Sequence, residues 1–366
     1  LNAATEAQWA DRSRMATRTA AQLTVPLRPY QEEAVAKACS SSGCIICLPC
    51  GGGKTLVGIE IVLRRGGDAL FMCHNSDTVG QFKQHLHDFT TLSKERVMRL
   101  TATHRSRVAP RRGGPVVMIT TYAMMAGDGY RTPATQRCID AILSHPWRTV
   151  VLDEAHCAAA TKASECWRGL RADARYGLTA TLVRADNGVD ELFRDVGPLL
   201  YEMGWRALED EGFTARVEPV VVLCEPPDSW SRLTGRVRVM ADVINPSKVD
   251  VCDTIVAKHV VLGGERAIIF CDNLWACKML AVRYTCPFIT GETAEDERQE
   301  MLDAFKAGRY RTVVLSRVGD TGLDLVDASV GIVMCAHFSS KRQEAQRFGR
   351  VMRPNADGRA STFYDL

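Results

Sequence analysis

The chain has 366 residues, roughly two to three times a typical single domain, and its 46% hydrophobic and 24% charged residues are the balance of an ordinary globular protein. That excludes fibrous chains and wholesale disorder, and no apolar run approaches the ~18–20 residues that span a bilayer. Net charge is +3, so a uniformly basic nucleic-acid binder is not indicated, although local basic patches stay open.

The first twenty-one residues carry Asp, Glu and three Arg without an apolar block, which excludes a secretory signal. Leu1 in place of Met suggests a piece of a longer chain. The fourteen cysteines sit mostly in or beside apolar runs, so they read as free thiols in a reducing compartment. The spacing Cys44, Cys47, Cys50 superficially resembles a metal knuckle. A strand would point Cys44 and Cys47 to opposite faces, however, and no second Cys or His pair follows, so no metal is expected there.

Residues 31–39 read as a helix. Short β-rich runs then recur at 45–48, 69–73, 116–120, 149–152 and 176–179, and again at 220–224, 267–271, 312–316 and 330–335. Continuous runs of this length suit strands buried on both faces of a parallel sheet. Helical stretches between them, such as 56–63 and 274–284, make repeated βαβ units and hence an α/β architecture. Gly197-Pro198 and the charged segment 205–212 place a boundary within 196–216, which divides the chain into 1–205 and 206–366. Arg105, Arg107, Arg111 and Arg112 crowd one loop of the first half, and Arg232, Arg236 and Arg238 crowd another in the second. Both loops read as solvated surface or as phosphate contacts.

Three segments carry chemistry. The first is Leu48-Pro-Cys-Gly-Gly-Gly-Lys-Thr55, between an expected strand and an expected helix. Gly51, Gly52 and Gly53, with Cys50, let backbone N–H groups turn toward a phosphate chain. Lys54 adds a point charge, and the Thr55 hydroxyl completes a Mg²⁺ shell. The full phosphate-loop signature would have Gly at position 48, where this chain has Leu. The second is Thr149-Val-Val-Leu-Asp-Glu-Ala-His156, an acidic pair at a strand end. Asp153 can hold Mg²⁺ through water while Glu154 polarises an attacking water. The third is Gln346-Arg-Phe-Gly-Arg-Val-Met-Arg353, whose Arg350 and Arg353 fall on one helix face and suit arginine fingers. Between them lie Thr179-Ala-Thr181, with relay hydroxyls, and a turn holding Gly319 and Asp320.

These segments, with Leu27-Arg-Pro-Tyr-Gln31 upstream, occur in the order of superfamily 2 helicase motifs, in which the departure at Leu48 is normal. More narrowly, Gly177-Leu-Thr-Ala-Thr-Leu-Val-Arg184, residues 201–215 and 267–281, and the run from Lys341 to Arg353 resemble the XPB family. That family comprises DNA-dependent ATPases of nucleotide excision repair and of transcription factor IIH, and the resemblance covers residues 27–366. It implies two RecA-like domains with ATP in the cleft between them. It also implies adenine recognition by Arg28 and Gln31, and phosphate and Mg²⁺ binding at Cys50–Thr55 and Asp153-Glu154. Nucleotide contacts from Gly319, Asp320 and Gln346 follow, as do arginine fingers at Arg350 and Arg353. Asn75, Ser76, Thr120, Thr121, Tyr122, Arg184 and Ser316 resemble strand-contacting positions.

The family's Arg-Glu-Asp triplet reads Arg184-Ala185-Asp186 here, which puts its duplex-opening role in doubt. A thumb-like insertion is expected only in short form, near 226–258. The family's damage-recognition region is missing, so the chain reads as a minimal paralogue or a helicase core. The implied activity is ATP-driven translocation on double-stranded DNA, with partners of a repair or transcription-factor-IIH-like complex and no membrane. Localisation would be nuclear in a eukaryote and cytoplasmic otherwise. A DEAH-type RNA helicase and a non-catalytic helicase-fold scaffold are the alternatives.

Overall fold

The computed structural model describes residues 21–106, 114–127, 131–158, 161–180, 188–213, 216–316, 328–335 and 360–366. The chain divides into two compact units, the first comprising Leu1–Leu48 and Gly53–Met203 and the second Gly204–Leu366 with Pro49–Gly52.

In the first unit, strands β1 (Gly43–Cys47), β2 (Ala69–Cys73), β3 (Val97–Leu100), β4 (Val117–Thr121), β5 (Thr149–Asp153), β6 (Arg175–Thr179) and β7 (Leu199–Glu202) form one sheet. Its order is β3-β4-β2-β5-β6-β1-β7, and every ladder is parallel. The apolar runs predict this well because β2, β4 and β5 are buried along their whole length, which only helices on both faces can achieve. Helix Lys54–Arg65 covers the sheet with Val57, Ile59, Ile61 and Val62, and Ser76–Phe89 with Val79, Phe82 and Leu86. Two large indoles seat the far side: Trp147 donates to the Ile142 carbonyl at 2.9 Å, and Trp167 to that of Ala158 at 2.9 Å. Burial of such rings removes apolar area worth about 25 cal/mol per Å², while each N–H keeps a partner.

Gly197-Pro198 lies just before the last strand of the first sheet, and the division between the units follows that strand, within the expected 196–216. Gly197 sits at φ +137°, and a Cβ there would lie 2.3 Å from the Gly43 carbonyl oxygen. The two backbones approach, Ile45 N–H donates to the Pro198 carbonyl at 2.9 Å, and β7 is laid against β1. Residue 197 must be glycine for that turn to close.

The second unit holds β8 (Val217–Val221), β9 (Ala267–Cys271), β10 (Phe288–Ile289), β11 (Thr312–Leu315), β12 (Val330–Cys335) and β13 (Ser361–Asp365). They form an all-parallel sheet of order β10-β11-β9-β12-β13-β8. Alternation is visible along β9. Ala267, Ile269 and Cys271 join one core with Val314, Val330 and Ile332, whereas Ile268 and Phe270 join another with Val313, Leu315 and Phe305. The strand expected at 220–224 lies three residues earlier, because Pro219 is tolerated on an edge strand whose register is set by β13. The segment expected as an insertion contains the helices Gly235–Val243 and Pro246–Val256. Val243, Cys252, Ile255 and Val256 are core residues, so much of that segment is integral to the unit.

Candidate active site

Strand order brings the chemistry together. β5, β6 and β1 are neighbours, so the segments leaving their carboxyl ends lie side by side, where open α/β sheets gather ligands. Residue by residue, Cys47 pairs with Thr179 and Leu178 with Asp153. The Leu48 N–H donates to the Thr179 carbonyl at 3.0 Å, which fixes where the loop departs.

Within that loop Gly51 and Gly53 adopt φ +79° and +75°, and Gly52 N–H closes a turn on the Pro49 carbonyl at 3.0 Å. Gly53 is the N-cap of helix Lys54–Arg65, whose dipole and first N–H groups point at the same region. The Lys54 ammonium donates to the Leu48 carbonyl at 3.2 Å, curling the side chain back over the loop. A Cβ on Gly53 would lie 2.2 Å from Gln31 Nε2, so the Gln31 amide rests directly on the loop backbone. Gln31 Oε1 accepts the Arg28 N–H at 2.9 Å, and the Arg28 guanidinium donates to the Tyr30 hydroxyl at 3.2 Å. Arg64 joins helix Lys54–Arg65 to helix Pro29–Cys39 by an ion pair to Glu32 at 2.6 Å and is steadied by Glu60 of its own helix at 2.7 Å. Helix Pro29–Cys39 is thereby locked to the phosphate-loop helix, with Gln31 as its contact. Cys50 is half-buried in this loop, and Thr55 is partly exposed at the start of the helix.

At the end of β5, Asp153 is buried while Glu154 keeps an accessible edge. Burial pushes the Asp153 carboxyl up, the adjacent Glu154 charge pushes it further, and Lys54 opposes both. A divalent cation would reverse that push, and one buried carboxylate with the Thr55 hydroxyl is a donor set of the hard-oxygen kind Mg²⁺ takes. Glu154 occupies the left-handed region at φ +47°. Such a conformation costs a non-glycine residue on the order of 1–3 kcal/mol and is held where a side chain must be aimed.

His156 supplies a link that no role in the sequence reading covered. Its Nδ1 lies 2.8 Å from the Thr179 hydroxyl and 3.4 Å from Glu154 Oε2. The buried imidazole therefore joins the acidic pair to the Thr179-Ala-Thr181 segment. The spacing Glu-x-His is the signal that could have found it.

The expected strand contacts fare differently. Asn75 is the N-cap of helix Ser76–Phe89, its Oδ1 accepting from Thr78 N–H at 2.8 Å, and Ser76 is exposed beside it. Thr120 is buried and donates to the Leu100 carbonyl at 2.9 Å. Thr121 caps the next helix by accepting the Met124 N–H at 3.1 Å. Tyr122 is buried with its hydroxyl on the Asp153 carbonyl at 2.8 Å, and Ser316 is buried at the end of β11. The side chains of Thr120, Thr121, Tyr122 and Ser316 are buried, and those of Thr120, Thr121 and Tyr122 bond to backbone groups of the first unit. Arg184, Gly319, Asp320, Gln346, Arg350 and Arg353 lie outside the described residues. Among the described residues no three His, Cys, Asp or Glu side chains gather as a metal site, and no helix is long and apolar enough to cross a membrane. Burial pushes the Cys44 thiol up to about 12 and the Cys47 thiol to about 11.

Solved structures share this fold. The type ISP restriction-modification enzyme LlaBIII bound to DNA superposes with a TM-score of 0.67 at 15% identity, over 94% of this chain and 28% of that one. The Pyrococcus furiosus Hef helicase domain gives 0.56 at 17% identity, over 93% and 95%. Two parallel-sheet α/β units, the first with a Gly-Lys-Thr loop after β1 and an Asp-Glu pair at the end of β5, with β6 between these strands, form the RecA-like fold of the helicase class. Residues 208–366 match the family model of the ERCC3/RAD25/XPB C-terminal helicase, and residues 24–184 that of the type III restriction enzyme res subunit. The chain is similar to XPB subunits along most of its length. It is 36% identical over 94% of its length to the general transcription and DNA repair factor IIH helicase/translocase subunit XPB of Antonospora locustae, and 34% identical over 93% to the XPB/SSL2 subunit of Saccharomyces cerevisiae. It spans 51% and 41% of those two relatives.

Proposed function

We propose that this chain is an ATP-driven translocase of XPB type that moves on and opens duplex DNA. The observation that carries the reading is the assembly on β5, β6 and β1 of the Gln31-backed phosphate loop, the Asp153-Glu154 pair and the His156–Thr179 bridge. In this reading Gln31 and Arg28 face the adenine. The loop N–H groups and Lys54 hold the β- and γ-phosphates of the substrate ATP. Mg²⁺, held by Thr55 and Asp153, supplies charge neutralisation at those phosphates. Glu154 accepts the proton of the attacking water, aimed by its left-handed backbone. His156 carries the state of the acidic pair to Thr179.

The labour is divided at about residue 205. The first unit binds and hydrolyses ATP, while the second supplies Gly319, Asp320, Gln346 and the arginine fingers Arg350 and Arg353. Phosphate contacts position the duplex without reading its bases, with Asn75 and Ser76 at a helix N-terminus and Arg184 among them. By likeness to its relatives, the chain works with protein partners of a transcription-factor-IIH-like complex, in the nucleus of a eukaryote.

The test is ATP turnover with and without duplex DNA. Duplex DNA is expected to raise kcat, and Lys54→Ala or Glu154→Gln to lower it at least about a hundredfold. Stimulation by RNA alone would replace the reading with an RNA helicase. Absence of turnover with any nucleic acid would leave a scaffold.

A further inference from the structure

We infer that Tyr122 is a positioning residue that carries the state of the β4 turn to the acidic pair; this rests on the proposed DNA-stimulated ATPase. Tyr122 is the first residue of the five-residue helix Tyr122–Ala126, which leaves β4 without an intervening loop. Both ends of that helix are tied. The Thr121 hydroxyl accepts the Met124 N–H at 3.1 Å, and the Arg131 guanidinium donates to the carbonyls of Met124 at 3.3 Å and Met125 at 3.0 Å. So short an element, capped twice, moves as one piece with the end of β4.

From there the phenol reaches past the end of β2 to β5, since β4, β2 and β5 are consecutive in the sheet. Its hydroxyl donates to the Asp153 carbonyl at 2.8 Å. β2 pairs with β5 only as far as Leu152, so Asp153 lies beyond that ladder. The carbonyl gripped belongs to the peptide joining Asp153 to Glu154, and Glu154 is the residue held at φ +47°. Rotation of that one peptide re-aims the Glu154 carboxylate. The Tyr122 hydroxyl thus holds the hinge on which water activation turns, and it is carried by the turn that leaves β4. Any displacement of that turn would reach Glu154 through this bond, without passing through the phosphate loop.

A buried tyrosine whose hydroxyl is merely satisfied by a carbonyl would look alike in a static view, and kinetics separate the two. Tyr122→Phe keeps the ring and removes the donor. Expected is a fall of about tenfold in kcat with saturating linear duplex DNA, with KM for ATP and DNA affinity within about twofold of wild type. Arg131→Ala frees the far end of the helix while leaving the hydroxyl in place, and a smaller loss of the same kind is expected. Thermal melting is followed for both variants. A kcat within about threefold of wild type for Tyr122→Phe overturns the inference. So does a loss in which kcat, KM, DNA affinity and melting temperature worsen together, which is the signature of a packing role. A wild-type chain without DNA-stimulated turnover overturns the proposed function itself and the inference with it.

Discussion

Gly53 meets two requirements at once. Its φ of +75° is open to glycine and costs other residues about 1–2 kcal/mol, and its missing side chain leaves the space that Gln31 Nε2 fills. Gly53→Ala must pay the backbone cost and displace the Gln31 amide, breaking its bond from the Arg28 N–H. The expected result is a rise of about tenfold in KM for ATP with a smaller change in kcat, measured by nucleotide titration. Unchanged KM would show that the Gln31 contact only packs the loop. Thr120, Thr121 and Ser316 carry hydroxyls of the right kind at strand ends, yet those side chains are buried in the fold.

Among the elements, the turns that feed the sheet are joined by one carboxylate. Asp68 Oδ1 accepts the Val116 N–H at 2.8 Å before β4, and Oδ2 meets His145 Nε2 at 2.9 Å after helix Pro133–Ser144. Its carbonyl accepts the Arg148 N–H at 2.9 Å before β5. Burial alone would raise the Asp68 carboxyl. The His145 hydrogen bond, the Val116 amide and the charges of His145 and Arg96 outweigh it and hold the group below the usual range. A depressed carboxyl stabilises the fold above its unfolded value of about 3.9 and loses that contribution as pH falls through the folded value. Asp68→Asn should therefore cost about 1 kcal/mol near neutrality, a few degrees of melting temperature, with the gap to wild type closing below about pH 4. A gap constant from neutral to acid pH would mean that the charge contributes nothing.

For the whole molecule, a net charge of +3 leaves the proposed DNA binding to local contacts. Arg105 and Arg232 are exposed, whereas Arg238 is occupied in donating to the Trp230 carbonyl at 3.0 Å. If the first two reach phosphates, replacing either by Ser should weaken DNA of every sequence alike and reduce the salt slope by about one unit. Fluorescence titration across salt concentrations measures this, and unchanged slopes would return both to ordinary surface. Arg105 also donates through Nε to the Thr135 hydroxyl at 2.8 Å, so its loss should lower melting temperature slightly as well.

Much of this protein is local in origin. Apolar runs buried on both faces announced the central strands, and 69–73, 267–271 and 330–335 coincide with β2, β9 and β12. The same locality made Gly51–Thr55 and Asp153-Glu154 legible, since a phosphate loop and an acidic strand end each need a few consecutive residues of fixed chemistry. Strands β3, β7, β10 and β13 were not legible, being short or polar and made strands by the neighbours they pair with. The bonds of His156 to Thr179 and of Tyr122 to Asp153, and the contact of Gln31 with Gly53, join segments tens of residues apart. Only the strand order β4-β2-β5-β6-β1 brings the first two within hydrogen-bond reach, and only the packing of helix Pro29–Cys39 on helix Lys54–Arg65 makes the third; nothing in the spacing of residues along the chain encodes either. By itself the sequence determined which groups are candidates for the chemistry; the tertiary structure decided which backbone peptide and which neighbouring hydroxyl hold them, because that depends on the order in which parallel strands pair.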